Sequence, residues 1–214
     1  MTALALALAT TIKHDGYGGI ADLLSTPEEA TTWLVDHEHL VTHLLGPTHP
    51  AARGSGRFVR PDRPEIVPDR PDTVLHGELL RMRRAVRALF ARAVAPGPPS
   101  TADADRLMDV DSALRLVNRA ARRLGTRELE WPDGGAPVTR RVSRTQDPVE
   151  LLIGAIGRST IDFLTGPDRE RLRACPAARC VKYFLQDDPR QTWCSPACGN
   201  RERVNRHYRK RTAG

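Results

Sequence analysis

Several things are scarce in this chain, and each scarcity excludes something. Aromatic residues make up only 5% of its 214 residues, so any core must be built from aliphatic side chains. No run approaches the roughly 20 consecutive apolar residues that a membrane-spanning helix needs. No cysteine occurs before Cys175 or after Cys198. The opening segment MTALALALAT carries no basic residue, and the first one, Lys13, follows the apolar run. A secretory leader has the opposite order, so a cytoplasmic location with reduced thiols is expected. No internal repeat is visible.

Catalytic motifs are missing as well. HDGYGG at 14–19 falls short of a full phosphate-binding glycine loop and reads as a turn. His37, His39 and His43 lie close together, but no glutamate follows the first histidine of the His39/His43 pair, so they read as solvated helix residues. Asp103-x-Asp105 and Asp109-x-Asp111 lack the glycine and closing glutamate of a calcium loop and read as first-turn and surface acids. No local motif marks a serine–histidine–acid arrangement. An enzyme is therefore not expected.

What is present is unevenly placed. Residues 169–214 hold 12 Lys+Arg against 4 Asp+Glu, while residues 1–168 hold 21 against 22. The whole-chain charge of +7 thus belongs to the last segment. A compact basic end on a neutral body suits a polyanionic partner.

The pattern predicts a mainly α protein: a helical domain at 1–167 with a small β component, and a small metal-binding module with a basic helix at 168–214. Leu4, Leu6 and Leu8 alternate with alanine, the period of a strand. Thr26-Pro27-Glu28-Glu29 is a capping-box start for a helix running to Leu45. Residues 46–71, with six prolines and three glycines, form a Pro-rich loop. A long helix over 72–95 would bury Leu75, Leu79, Met82, Val86, Leu89, Phe90 and Ala93, leaving its arginines mostly off that stripe. Ser100 with Asp103 is expected to start the next helix, through Leu107, Val110, Leu114, Val117, Ala121 and Leu124 to a stop at Gly125. Two short strands should flank PDGGA at 132–136, and Asp147-Pro148-Val149-Glu150 should open a last helix of the domain.

All four cysteines fall in the pattern C-x4-C-x13-C-x3-C, as Cys175, Cys180, Cys194 and Cys198. Two close pairs separated by a hairpin-sized insert suit one tetrahedral Zn²⁺, with four thiolates leaving no open position for catalysis. Two disulfides or buried free thiols are the alternatives. Ser195 can N-cap a helix that starts at Pro196, placing Cys198 in its first turn. On that helix Ala197, Arg201, Val204 and Tyr208 share a face expected to turn inward, with Arg201 donating to knuckle carbonyls. Arg203, Arg206 and Lys210, with Arg209 and Arg211 nearby, form the outer face suited to phosphate. Glu202 is placed to pair with Arg206.

Trp193-Cys194-Ser195 and Cys198-Gly199-Asn200-Arg201 resemble the CGNR zinc finger. The preceding Cys-x4-Cys and the Arg/Lys-rich tail fit it too. The front part resembles the ABATE domain, through the alternating Leu start, LLSTPE at 23–28 with Trp33-Leu34, LLRMRRAVRALF at 79–90 and Leu116-Val117-Asn118. The resemblance implies a bacterial stress-induced transcriptional regulator holding one structural zinc, with Trp193, Asn200 and Arg201 as motif residues. The chain departs from that pattern at Ala9-Thr10-Thr11, where an Asn-Thr pair is usual, and at Gln186 after Phe184-Leu185. DNA is the expected partner, with RNA open, no membrane, and room for a homodimer or a small-molecule effector. The rival expectation is a zinc-ordered surface that docks on another protein without touching nucleic acid.

Overall fold

A computed structural model describes residues 3–14, 19–45, 72–100, 103, 107–143, 145 and 147–212. The glycine-rich turn over 15–18 and the Pro-rich loop over 46–71 lie outside the described residues. Eight helices and three two-stranded antiparallel hairpins make up the described chain. No helix among the described residues is long and apolar enough to cross a membrane.

The first element corrects an expectation. Leu4–Ala9 is a helix, α1, with all six residues buried. Alternation of leucine with alanine carries no face information when both are apolar, and both are strong helix formers. The strands come next, as β1 (Ile12–His14) and β2 (Ile20–Asp22), paired with Ile12 opposite Asp22. Helix α2 (Pro27–Asp36) begins with the full capping box between Thr26 and Glu29. It stops at His37, whose ring stacks on Trp33 and bonds its carbonyl through Nδ1 at 2.8 Å. A separate helix, α3 (Glu38–Leu45), takes over, so the single expected helix is two.

Helix α4 (Thr73–Ala93) is N-capped by Asp72, which accepts from the Val74 and Leu75 N–H groups. Its apolar stripe is buried as the periodicity requires, with Ala93 partly so. Two of its arginines are not on the surface. Arg83 and Arg87 are 7% and 2% exposed. Burying a guanidinium costs free energy unless each is paired and hydrogen-bonded, and each is. Arg83 grips both carboxylate oxygens of Asp22 and donates to Thr11 Oγ1 at 3.0 Å. Burial pushes the Asp22 carboxyl up, but the Arg83 hydrogen bonds, the Leu24 N–H and the Arg83 charge outweigh it and hold it below the usual range.

Helix α5 (Val110–Arg123) starts later than expected, at Asp109, whose side chain accepts from Ser112 N. Ser100 and Asp103 are both buried partners of Arg87. The buried face of α5 is Ala113, Leu116, Val117, Ala120 and Ala121, while Leu107 and Leu114 are exposed. The true stripe is therefore rotated from the expected one, because small alanines rather than leucines meet the neighbouring helix. That neighbour is α6 (Pro148–Thr165), N-capped by Asp147 with proline at its start. A Cβ on Gly157 would lie 2.6 Å from Ala121 N, so only glycine lets the two helices come this close. Between them runs the hairpin β3 (Thr126–Glu130) and β4 (Val138–Val142), entered through Gly125 at φ +72°.

A one-turn helix, α7 (Asp168–Arg171), leads to β5 (Leu172–Ala174), which pairs with β6 (Tyr183–Leu185). The last element is α8 (Pro196–Thr212). Leu172 and Tyr183 belong to the main core, with Tyr183 set edge-on to Phe90 at 5.6 Å between ring centroids. The first strands of the C-terminal segment are thus anchored in the helical body.

Candidate metal centre

The β5–β6 hairpin carries the first cysteine pair at its tip. Cys175 N donates to Lys182 O at 3.0 Å, and Cys180 N donates to Ala177 O at 2.9 Å, closing a tight knuckle. Arg179 takes the left-handed conformation, φ 64°, that the reversal demands. The second pair comes from the other side of the insert. Ser195 Oγ accepts from Cys198 N at 3.3 Å, as the Ser-Pro start of α8 leads one to expect. Cys198 therefore lies in the first turn of the helix.

These two knuckles bring the four sulfurs together. All four ligand atoms lie within 4.8 Å of one another. Cys180 and Cys194 Sγ are 3.7 Å apart, and Cys194 and Cys198 Sγ 3.6 Å. Four sulfurs about 2.3 Å from a tetrahedral Zn²⁺ would be separated by about 3.8 Å, so the donor set fits. No disulfide joins any of the four. The thiols share their protons unequally. Hydrogen bonds from Cys180 and Cys194 pull the Cys175 thiol down, and the same bond to Cys175 pushes Cys180 up to about 11. Cys194 is pushed up by its bonds to Cys175 and Cys180, with burial behind them. Zinc, when bound, takes the place of those protons and ties both knuckles together. Four sulfur donors leave it no site for water, so its contribution is structural.

The residues around the sulfurs explain most of the surrounding motif. The ring of Trp193 packs on the sulfur cluster, and a Cβ on Gly199 would lie 3.2 Å from that ring, so glycine is what fits. Arg201 Nη1 donates to Ala178 O at 3.0 Å, and its Nη2 lies 4.0 Å from Cys198 Sγ. Glu202 completes the clamp by accepting from Ala178 N at 3.2 Å, so its partner is the first knuckle and not Arg206. Asn200 is exposed, and no contact among the described residues explains it.

Past this clamp, α8 enters solvent. Arg203, Arg206 and Arg211 are exposed. Val204 and Tyr208, expected to face inward, are 53% and 64% exposed. That face is therefore turned largely to solvent rather than buried. Arg209 and Lys210 lie in the same helix, with side chains outside the described set.

The structure also assembles a polar cluster the sequence did not mark. Arg87 donates through Nε to Asp103 Oδ1 at 2.7 Å, through Nη1 to Ala9 O, and through Nη2 to Ser100 Oγ and Val181 O. Its guanidinium carbon lies 5.1 Å from the centre of the Tyr183 ring, and the Tyr183 hydroxyl donates to Asp103 Oδ2 at 2.8 Å. Burial and the Asp103 charge push the Tyr183 phenol well up, so it stays a donor. One arginine thus ties α1, α4, the segment at 100–103 and the strand side of the zinc module. The only available signal was the spacing of Arg83 and Arg87, one turn apart and each next to a core position.

The comparisons agree with this geometry. Residues 2–167 match the ABATE family, described as "Putative stress-induced transcription regulator". The chain belongs to the ABATE family. Residues 171–211 match the CGNR zinc finger, and the four clustered cysteines lie inside that span. No protein of curated function matches the chain. Among the described residues the cysteine set is the one cluster able to hold a metal ion, so His37, His39 and His43 do not assemble into another.

Proposed function

We propose that this ABATE protein regulates transcription by binding duplex DNA through α8, with the helical body taking up a signal or pairing two copies. The observation that carries this reading is the exposure of α8. A helix polar on nearly every side gains little from packing and is stable only where something holds it. Here the zinc module holds one end, and the exposed Arg203, Arg206 and Arg211 carry positive charge beyond it, on the same helix as Arg209 and Lys210. Arginine and lysine on such a helix suit phosphate oxygens, which set position and orientation on the duplex. If five phosphates are engaged, these residues contribute about −4.5 to the slope of log K against log salt.

Reversing the charge of Arg203, Arg206 and Lys210 tests this. Duplex binding should weaken strongly and the salt slope should become shallower, with zinc content unchanged. Equal affinity in the variant would show that α8 is not the contact surface. A second reading, docking on a protein partner, is favoured by the exposure of Val204 and Tyr208. It predicts that Tyr208→Ala abolishes partner capture while duplex binding is absent in the parent chain.

A further inference from the structure

The near-neutral body conceals a second basic surface. Residues 110–146 carry eight arginines against four carboxylates, offset by acids elsewhere in the body. On α5, Arg115, Arg119 and Arg122 are all exposed and stand at i, i+4 and i+7, which puts them on one face with the exposed Asn118. The close contact of α5 with α6 through Gly157 fixes which side is buried and so fixes this face outward. Asp111, in the first turn, is the only carboxylate within α5, and Asp109 caps its start. Among the described residues Arg119 and Arg122 have no carboxylate partner. Arg115 donates to the Ser112 hydroxyl at 2.9 Å and lies near enough to the N-cap Asp109 that, behind the Ser112 hydrogen bonds, its charge lowers that carboxyl. The arginines that do pair point elsewhere: Arg123 reaches Glu78 at 3.8 Å, and Arg81 reaches the same carboxylate.

Compensation of the helix dipole accounts for cations in the last turn only. Arg115 and Arg119 lie one to two turns earlier, where that effect has faded. The hairpin extends the surface beyond the helix end. Ser143 Oγ donates to Arg123 O at 2.8 Å, pinning the hairpin base to α5, and the exposed Arg127 is paired with Arg141 in the strand register. The hairpin itself packs on little: Leu129 is 73% exposed and Trp131 68%.

We infer that the α5 face formed by Arg115, Arg119 and Arg122 is a second phosphate-binding surface, gripping the backbone of the same duplex that α8 contacts. The array spans about 10.5 Å along the helix axis, close to the rise of three nucleotides at about 3.4 Å each. Guanidinium groups without carboxylate partners can take phosphate oxygens in bidentate fashion. This rests on the DNA-binding reading above, and the body then does more than carry α8: it sets the duplex's orientation.

The test uses the full zinc-loaded chain and a mixed-sequence duplex of about 20 base pairs, followed by anisotropy over a salt series. Arg115→Gln/Arg119→Gln/Arg122→Gln should make the salt slope shallower by about 2.7, and Arg119→Gln alone by about 0.9. Circular dichroism and zinc content should match the parent, since all three side chains are exposed. The loss should add to that of the α8 variant. A folded triple variant with an unchanged slope overturns this inference and leaves the α8 reading standing. A parent chain that binds no duplex at low salt overturns both.

Discussion

The two parts of the molecule reach order by different means. In the helical body, leucines, isoleucines and alanines from α1 through α6 fill one continuous core, with Phe90, Phe163 and Tyr183 meeting at its end of the long helix. In the C-terminal module the buried set is Cys175, Ala177, Cys180, Phe184 and Cys198. Three of those five are sulfur ligands, so there is too little hydrocarbon to hold the knuckles by burial alone. A body with its own core can stand without metal; a module whose core is its ligand set cannot. Placing a structural zinc at one end and a basic helix beyond it separates what holds the module together from its exposed cationic surface.

The sharpest way to separate the two parts is to remove one sulfur. Cys194→Ser should unfold the module, because structural zinc supplies about 10–16 kcal/mol of apparent binding energy at neutral pH. Circular dichroism should retain the helicity of α1 to α6, and the zinc should be gone. Collapse of the whole helical signal would show that the body depends on the module as well.

The next largest effect lies where the two parts join. Arg87→Met removes one member of a buried ion pair and leaves Asp103 uncompensated, which should cost about 3–5 kcal/mol of body stability. Val181 O also loses its Arg87 donor in this variant, so the module should loosen where it docks. Chemical denaturation followed by backbone amide exchange checks both. Exchange that speeds up in α4 but not across 181–183 would show that the two parts fold independently.

How much of this could be read in the residues depends on what each signal encoded. The cysteine spacing specified a four-sulfur site, since no other residues compete for that role. Thr26, Asp147 and Ser195 each marked a helix start, because side-chain oxygen followed by proline is local chemistry that tertiary context seldom overrides. The Leu–Ala alternation misled, because two apolar residue types cannot define a polar face. The burial of Ser100 and Asp103 was not legible, because their partner Arg87 looked like a surface charge. Val204 and Tyr208 read as an inner face on the assumption that apolar residues at helical spacing are buried, whereas both are exposed.

A smaller effect concerns the Arg83–Asp22 pair, which joins α4 to the β1–β2 hairpin. The native Asp22 carboxyl sits below its ordinary value of 3.8. Its stabilising contribution is therefore complete above that value and is lost as pH falls through the lower native one. Asp22→Asn should flatten the acid limb of the stability curve below about pH 4 and also cost stability at pH 7, though less than Arg87→Met, because it leaves the buried Arg83 without its counter-charge beside a partly exposed partner. Thermal melts from pH 2 to 7 would show it. An acid limb unchanged by the substitution would mean another carboxylate governs that region.

The most direct measurement is elemental analysis of the purified chain joined to X-ray absorption at the zinc edge. One zinc per chain is expected, with a shell of four sulfurs at about 2.3 Å and no oxygen or nitrogen neighbour. A chain lacking stoichiometric zinc, or one whose cysteines are joined in disulfides, would contradict it.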